Sequence, residues 1–198
     1  MRLVLASNNP GKLREIEVLL TPSIDLVAQS ALGIAEADEP HATFVENALA
    51  KARHASRAAG LPALADDSGL CVDALGGEPG VHSAYYAGRE GSREERDARN
   101  NHRLLAELKD DRRAYYCCLM ALVRRPDDPR PLIAEGVWRG EIARAPRGAN
   151  GFGYDPVFLL PALGQTAAEL APDEKNRISH RALALRKLLE LLYAPDHA

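Results

Sequence analysis

Polar and apolar positions at the start of the chain follow the order expected of a strand, a loop and a helix. The run from Arg2 to Ala6 is β-compatible, and Ser7 to Gly11 has the Ser, Asn, Pro and Gly composition of a turn. Apolar residues then recur at helical spacing at Leu13, Ile16, Leu19 and Leu20. The pattern predicts a β-strand followed by an α-helix, and then a second short strand over Asp25 to Gln29.

The next helix is predicted from its ends and from its apolar stripe. Thr43 and Glu46 match the spacing of a capping box, and Gly60 is suited to ending the helix. The predicted stripe consists of Val45, Leu49, Ala52 and Ala55. Two strand-like runs follow, Leu61 to Ala65 and Leu70 to Leu75, and they flank the polar segment ADDSGL.

The Gly-rich connection GGEPGVHSAYYAGREGS separates these strands from a third helix. Connections of this length inside compact domains are often functional. Ser92 and Glu95 cap the third helix, which is predicted to run to about Lys109 with a solvated, charged first half.

The second half of the chain is rich in strand-like sequence. AYYCCLMALVRR and RPLIAEGVWRGEI are separated by the turn PDDPRP, which predicts a long hairpin, and GFGYDP forms a loop before another strand. The closing segment DEKNRISHRALALRKLLELL is predicted to be one helix. Early alternation of strands with helices and a later hairpin indicate an α/β fold with a mixed β-sheet and flanking helices, formed by a single domain over residues 1–198.

Composition and charge narrow the class of protein. A chain of 198 residues with 46% hydrophobic residues can bury a sizeable core. The net charge of −3 is spread over mixed acids and bases, which disfavours a polymeric nucleic acid as partner. Cys71, Cys117 and Cys118 lack the spacing of a zinc site and are expected to be reduced core thiols. With no membrane span or signal-peptide pattern in the sequence, we expect a soluble, cytoplasmic protein without membrane partners.

The first candidate functional segment is SNNPGK, at the start of the first helix. A helix N-terminus exposes backbone N–H groups and the positive end of the helix dipole, which together favour an anion, and Lys12 adds a full charge there. The spacing differs from that of a Walker A loop. Phosphate binding is one interpretation, and an ordinary strand-to-helix turn with a solvated lysine is the other.

The second candidate segment is ADDSGL. Two adjacent carboxylates, Asp66 and Asp67, are costly to hold together unless a cation or a proton is shared. In extended backbone they face opposite ways, so one can meet a metal while the other points elsewhere, and Mg²⁺ suits such sparse oxygen ligands. Asp38 and Glu39 of the acidic loop are candidates to complete the ligand set. The alternative is an Asp-initiated turn.

Two further segments offer groups that a nucleotide would require. In GFGYDP, flanking glycines let the Phe152 ring stand at a loop tip and stack on a base, with Tyr154 and Asp155 as polar contacts. In KNRISHR, positive charge is gathered by Lys175, His180 and Arg181. Each segment taken separately is more often structural.

Six segments in order closely resemble the inosine/xanthosine triphosphate pyrophosphatase family across almost the full length of the chain: SNNPGK, TFVENALAKA, ADDSGL, GGEPGVHSAYYAG, GFGYDPVF and ISHR. The resemblance implies an elongated mixed α/β fold with two lobes around a central nucleotide-binding cleft, and a homodimer. It also implies Mg²⁺-dependent hydrolysis of ITP, dITP and XTP to the monophosphate and pyrophosphate, without an organic cofactor.

The resemblance also implies roles for individual residues. Asp67 is similar to the catalytic carboxylate, which with an acidic-loop carboxylate, Asp38 or Glu39, holds the metal. The implied substrate contacts are Ser7, Asn8, Asn9, Pro10, Gly11, Lys12, Ser68, Phe152, Gly153, Tyr154, Asp155, Lys175, His180 and Arg181. Where the family usually has Tyr and Arg in P-G-V-Y-S-A-R-Y, this chain has His82 and Tyr85.

Two other functions are compatible with these segments. One is a related pyrophosphatase acting on other modified or pyrimidine nucleotides, as in the similar septum-inhibitor-type family. The other is a non-catalytic nucleotide-binding module that keeps the phosphate loop. A triphosphate binder without metal gains nothing from the Asp66–Asp67 pair, which favours an enzyme.

Overall fold

The computed structural model describes residues 1–20 and 24–194. Within these residues the α-helices are α1 (Pro10–Leu19), α2 (Phe44–Ala59), α3 (Arg93–Glu107), α4 (Pro172–Ile178) and α5 (His180–Leu192). The strands are β1 (Arg2–Leu5), β2 (Asp25–Ala28), β3 (Ala63–Val72), β4 (Arg113–Val123), β5 (Leu132–Ile142), β6 (Phe158–Leu160) and β7 (Gln165–Thr166).

The strands of the described residues form one seven-stranded sheet in the order β2-β1-β3-β4-β5-β6-β7. β1 runs parallel to both β2 and β3, with Leu5 opposite Ala28 and Leu64. β6 runs antiparallel to both β5 and β7. Parallel neighbours require long crossovers, supplied here by the segments containing α1 and α2, whereas antiparallel neighbours such as β6 and β7 can be joined by a short connection. The predicted α/β class with a mixed sheet and flanking helices is confirmed.

The first compact unit is built from residues 1–67, 118–136 and the described part of the chain after Ile178. Its strands bury both faces, as alternation of side chains along β1 shows. Leu3 and Leu5 pack with Leu185 of α5, while Val4 packs with Ala52 of α2. This unit carries the loop before α1 and both carboxylates of ADDSGL, Asp66 and Asp67.

The second compact unit comprises Ser68–Cys117 and Val137–Ile178. Its core contains an aromatic group in which the Phe158 ring lies 4.6 Å from Tyr116 and 5.3 Å from Trp138, measured between ring centroids. Leu104 and Leu108, at the end of α3, pack on the same core. The GFGYDP loop leads directly into β6 of this unit.

Several predicted boundaries are confirmed by their capping contacts. The Ser92 hydroxyl and the Glu95 carboxylate form a capping box at α3, and Gly60 ends α2 with a left-handed φ of 65°. Thr43 caps α2 through the Glu46 N–H, but the Glu46 carboxylate accepts from the Thr43 hydroxyl instead of the backbone. β4 and β5 are neighbours in the sheet, as the predicted hairpin requires.

Other local predictions are wrong. ADDSGL lies inside the continuous strand β3, so the alternative of an Asp-initiated turn is excluded. The single closing helix is two helices, because Ser179 leaves the helical conformation and caps α5 by accepting from the Ala182 N–H. Val45 is 37% exposed, since the buried face of α2 is centred on alanines.

The structure also bears on the predictions for the three cysteines and for a membrane span. Cys71, Cys117 and Cys118 are all buried, and none of the three forms a disulfide. In the part of the chain that the structure describes, no helix has the length and apolar character needed to cross a bilayer.

Candidate active site

Asp66 and Asp67 lie in the buried strand β3 and turn to different partners. Alternation along a strand sends consecutive side chains to opposite faces of the sheet. Asp66 is 1% exposed and Asp67 7% exposed, so both carboxylates depend on protein groups for the interactions they would otherwise make with water. Each of the two carboxylates pairs with cationic side chains.

The Asp66 carboxylate lies between two cations of the first unit. Its Oδ2 atom is 2.9 Å from Nζ of Lys12 and 3.4 Å from Nε of Arg181. Arg181 is itself buried and also pairs with Glu15 of α1. Burial raises the pKa of Asp66, but the charges of Lys12, Arg181 and Lys51 outweigh it and hold that pKa well below its usual range. Asp66 is therefore a fixed anion that orients Lys12.

The Asp67 carboxylate is held by two side chains of α2. Its Oδ1 atom is 3.0 Å from Nζ of Lys51, and its Oδ2 atom accepts a 3.2 Å hydrogen bond from Nδ2 of Asn47. Burial raises the pKa of Asp67, with the charges of Lys51 and Lys12 opposing it. The buried Lys51 ammonium, whose pKa is raised by Asp67, Asp66 and Glu39 against the effect of burial, stays charged.

Glu39 brings a second carboxylate to the same lysine. Its Oε1 atom lies 2.5 Å from Nζ of Lys51, so Glu39 and Asp67 share one ammonium group. Asp38 is exposed. Within residues 1–20 and 24–194, no group of three or more His, Cys, Asp or Glu side chains is arranged to hold a metal. A pair of carboxylates suits a cation that takes its remaining ligands from water and phosphate oxygens, which is the habit of Mg²⁺.

The loop before α1 is ordered by its own side chains. Asn9 caps the helix, its Oδ1 accepting from the N–H groups of Gly11 at 2.9 Å and Lys12 at 3.3 Å, and its own N–H donates to Oγ of Ser7. Pro10 occupies the first position of the helix. The N–H of Asn8 donates to the Glu36 carboxylate at 3.3 Å, so this donor already holds an anionic oxygen. Pro10 and Gly11, which the sequence pattern assigns to the turn, are the first two residues of α1, so the helix begins two residues earlier than predicted.

In the second unit, Asp155 organises the GFGYDP loop. Its Oδ2 atom accepts from the Phe152 N–H at 2.9 Å and lies 2.6 Å from Nζ of Lys175, and its Oδ1 atom accepts from the Tyr116 hydroxyl at 3.3 Å. A Cβ on Gly151 would lie 2.0 Å from Asp155 Oδ2, and its φ is +76°, so glycine is required there. Phe152 is half-buried, with Nζ of Lys175 4.9 Å from its ring centroid.

The remaining predicted substrate contacts are divided between the units. Tyr154 is 3% exposed and its hydroxyl donates to the Ser83 carbonyl at 2.9 Å, inside the second unit. Ser68 follows Asp67 in β3 and is half-buried. His180 and Arg181, both buried, belong to the first unit, whereas Lys175 belongs to the second.

His82 and Tyr85, where the chain departs from the family pattern, lie in a 3₁₀ turn over Gly80–Tyr85. Both line a cavity of about 320 Å³ together with residues that include Arg89. The Arg89 guanidinium stands 4.3 Å from the Tyr85 ring centroid. A positive charge therefore lies next to the aromatic ring that replaces the usual arginine.

Sequence reasoning missed the side chains that hold the carboxylates. Asn47 and Lys51 lie on the buried face of α2 with Ala48, Ala52 and Ala55. The sequence contains a signal for them, because Asn47 and Lys51 are polar residues spaced i, i+4 within an apolar stripe. Polar side chains on a buried helix face require hydrogen-bonding or charged partners. Glu15, Asp97 and Asn101 were also missed.

The protein thus combines an open mixed β-sheet, buried carboxylate–lysine pairs and a polar loop at the start of α1. This combination can be compared with protein families of known structure. The sequence model of the Ham1 family matches residues 3–191, so the chain belongs to the Ham1 family, and the predicted family membership is confirmed.

Relatives within this family carry a more specific name. The dITP/XTP pyrophosphatase of Burkholderia pseudomallei (strain K96243) is 69% identical over 194 residues, which is 96% of this chain and 93% of the relative. That of Ralstonia nicotianae is 64% identical over 200 residues, covering 100% of this chain and 99% of the relative. The structure of a HAM1 protein from Coxiella burnetii matches with a TM-score of 0.89 and 49% identity over 97% of this chain and 98% of that one.

Proposed function

We propose that this protein is a pyrophosphatase that hydrolyses the non-canonical purine nucleotides dITP, XTP and ITP to the monophosphate and pyrophosphate. The observation that carries the proposal is the pair of carboxylates, Asp67 and Glu39, that meet at the buried ammonium of Lys51. The names of relatives at 69% and 64% identity over nearly the whole chain support the substrate class.

The metal proposed for the site is Mg²⁺. Asp67 and Glu39 are the residues that would hold it, because they already share one cation, and Asp38 remains the alternative from the acidic loop. When bound, the metal would neutralise charge on the phosphate oxygens and acidify a bound water. Glu39→Gln should raise the Mg²⁺ concentration needed for half-maximal activity, and Asp38→Asn should not; the reverse result would exchange their roles.

The chain's own residues account for the remaining chemistry. We propose that Ser7 to Lys12 bind the triphosphate through backbone N–H groups and the Lys12 ammonium, which offsets charge on the phosphate oxygens. Asp66 holds Lys12 in place from the protein interior. The Asp67 carboxylate orients a water for attack at the α-phosphorus and takes its proton, and pyrophosphate leaves.

Recognition of the base is assigned to the other predicted contacts. Phe152 is proposed to stack on the purine, because it is a half-buried aromatic ring on a loop fixed by Asp155 and Lys175. Polar contacts are proposed for Ser68, Gly153, Tyr154, Asp155, Lys175, His180 and Arg181. Hypoxanthine and xanthine present an oxygen acceptor at position 6 where adenine presents a donor, so donors aimed at that edge would favour the first two.

The deciding experiment measures pyrophosphate release from ITP, dITP, XTP, GTP, ATP and UTP, with Mg²⁺ and with Mg²⁺ removed by chelator. Metal-dependent release that is fastest with ITP, dITP and XTP supports the proposal. Preference for pyrimidine nucleotides would favour the septum-inhibitor-type activity. Nucleotide binding without release would identify a binding module, and metal-independent release would contradict the assignment of the carboxylates.

The organisation of the protein is proposed on the same resemblance. We propose that residues 1–198 act as one pyrophosphatase domain that forms a cytoplasmic homodimer. Light scattering after size-exclusion chromatography gives the molar mass in solution, and a mass close to 21.5 kDa would identify a monomer instead.

A further inference from the structure

One face of α3 is aligned with the tip of the GFGYDP loop. Arg93, Asp97 and Asn101 are spaced i, i+4 and i+8, so they lie on the same side of the helix. The Arg93 guanidinium stands 4.6 Å from the Phe152 ring centroid, and its Nε is 3.9 Å from Oδ2 of Asp97. No residue in the first half of α3 is buried, in agreement with the predicted solvated half, but Arg93 and Asp97 within it are partly covered and contact the loop or each other.

Asp97 and Asn101 bind both backbone groups of a single residue. The Gly153 N–H donates to Oδ2 of Asp97 at 2.8 Å, and the Gly153 carbonyl accepts from Nδ2 of Asn101 at 2.9 Å. We name this pair of side chains the Gly153 clamp. Together with the bond from the Phe152 N–H to Asp155, it holds three backbone groups around the loop tip.

The loop needs such an external hold because its own backbone is permissive. Gly153 has a φ of +63° and Gly151 one of +76°, so the phenylalanine stands between two residues that adopt many other conformations at little cost. Ordering such a segment only when the substrate arrives would reduce affinity. A loop held in advance avoids that loss.

Asn101 is costly to bury, which is unexpected for a residue that serves stability alone. It is 8% exposed, and its Oδ1 atom has no hydrogen-bond partner among the described residues. A buried acceptor without a partner lowers stability, and the one bond from Nδ2 only partly offsets this. The amide is explained by its position opposite the Gly153 carbonyl.

We propose that Asp97 and Asn101 are positioning residues that hold the Gly153 peptide, and through it the Phe152 ring, in the conformation that receives the purine base. This inference rests on the proposed function, because it takes Phe152 as the ring on which the base stacks. Neither clamp residue touches the phosphates in this scheme. Loss of the clamp should therefore weaken ligands that carry a base and spare those that do not.

The test compares dIMP, which carries the base, with inorganic pyrophosphate, which does not. Calorimetric titration in Mg²⁺ should show dIMP affinity about tenfold weaker for Asp97→Ala and for Asn101→Ala, since each removes one buried hydrogen bond, and unchanged pyrophosphate affinity. Asp97→Asn keeps an oxygen acceptor for the Gly153 N–H and should restore dIMP binding. His102→Ala, at an exposed position of α3, is the matched control and should change neither affinity.

Equal losses of dIMP and pyrophosphate affinity, or no loss of either, would overturn the inference. Thermal unfolding of each variant shows whether it is folded. If Asp97→Ala does not fold, the two single variants Asn101→Ala and Asp97→Asn decide the question. Pyrophosphate release from dITP by the unmodified protein tests the proposed function separately. If the unmodified protein is active on dITP but all variants bind dIMP equally well, the proposed function stands and the positioning role of the Gly153 clamp is refuted.

Discussion

Asp66 and Asp67 are consecutive residues of β3, yet their carboxylates bind different lysines. Asp66 pairs with Lys12 at 2.9 Å, and Asp67 pairs with Lys51 at 3.0 Å. Asp66 also contacts the buried Arg181, whereas Asp67 shares its lysine with Glu39 of the acidic loop. Substitution of Asp66 and substitution of Asp67 are therefore expected to have different effects on the protein.

Asp67→Asn should abolish turnover and leave the fold intact. The amide is nearly isosteric and still accepts one hydrogen bond, but it cannot take a proton from water, so kcat should fall by about 10²-fold or more. Asp66→Asn is the informative comparison, because it removes a charge that Lys12 and Arg181 both contact and should lower the unfolding temperature. Near-normal turnover of Asp67→Asn would move the chemistry to another carboxylate.

Lys12→Ala should weaken binding of a triphosphate far more than binding of a monophosphate. The lysine follows the loop proposed to hold phosphates, and its charge acts on the phosphate chain and not on the base. Dissociation constants for dITP, under conditions without turnover, and for dIMP measure the effect. Arg14→Ala, at an exposed position of the same helix, should leave both constants unchanged. Equal losses for both ligands in Lys12→Ala would refute the phosphate-loop assignment.

Phe152→Ala should weaken all purine substrates to a similar extent. Removing a ring on which a base stacks costs about 1–3 kcal/mol, and stacking depends little on which purine is bound. The ratio kcat/KM for ITP, XTP, GTP and ATP measures the effect. Phe152→Tyr keeps a stacking ring and should retain most of the activity. A loss confined to one base would indicate that this position reads base identity.

Arg181→Ala should destabilise the protein. Removing one partner of a buried ion pair leaves an uncompensated charge and costs about 3–5 kcal/mol, and here both Asp66 and Glu15 lose a partner. Urea denaturation gives the free energy of unfolding, and the exposed Arg186 of the same helix supplies the control variant Arg186→Ala. The ITP-over-ATP preference of the variant tests base reading by Arg181: a folded variant with an unchanged preference would assign this arginine to structure.

The turn between β4 and β5 should show a defined pH dependence of stability. The buried Asp128 carboxylate accepts from the N–H groups of Arg124 and Arg130, each at 2.9 Å. Burial raises its pKa, but these bonds and the Arg124 charge outweigh burial and lower the pKa below its ordinary value of 3.8. A group with a lowered folded-state pKa stabilises the fold above its ordinary pKa, and this contribution is lost as pH falls through the folded value.

Asp128→Asn should therefore lower the free energy of unfolding by about 1 kcal/mol at neutral pH, and the difference from the unmodified protein should shrink below pH 3.8. Urea denaturation at several pH values measures it. Asp127→Asn, at an 84% exposed side chain, is the matched control. A difference that stays constant over the whole pH range would contradict the lowered pKa.

Local sequence determined where most elements begin and end. Capping residues such as Ser92 and Gly60 act within a few residues of themselves, so their effect is readable from spacing. The segments that carry the family resemblance are also local, and they indicated the activity that the relatives' names support. Alternation along an extended segment correctly predicted that Asp66 and Asp67 would face opposite ways.

Only the tertiary structure decided which side chains those carboxylates meet. Arg181 reaches Asp66 across 115 residues of sequence, and Asn101 reaches Gly153 across 52. Such pairs depend on how helices pack on the sheet and on adjoining loops, which no local pattern encodes. The charged face of α3 illustrates the limit: its residues are those of a solvated helix, and they hold a loop because the chain folds so that this loop lies against them.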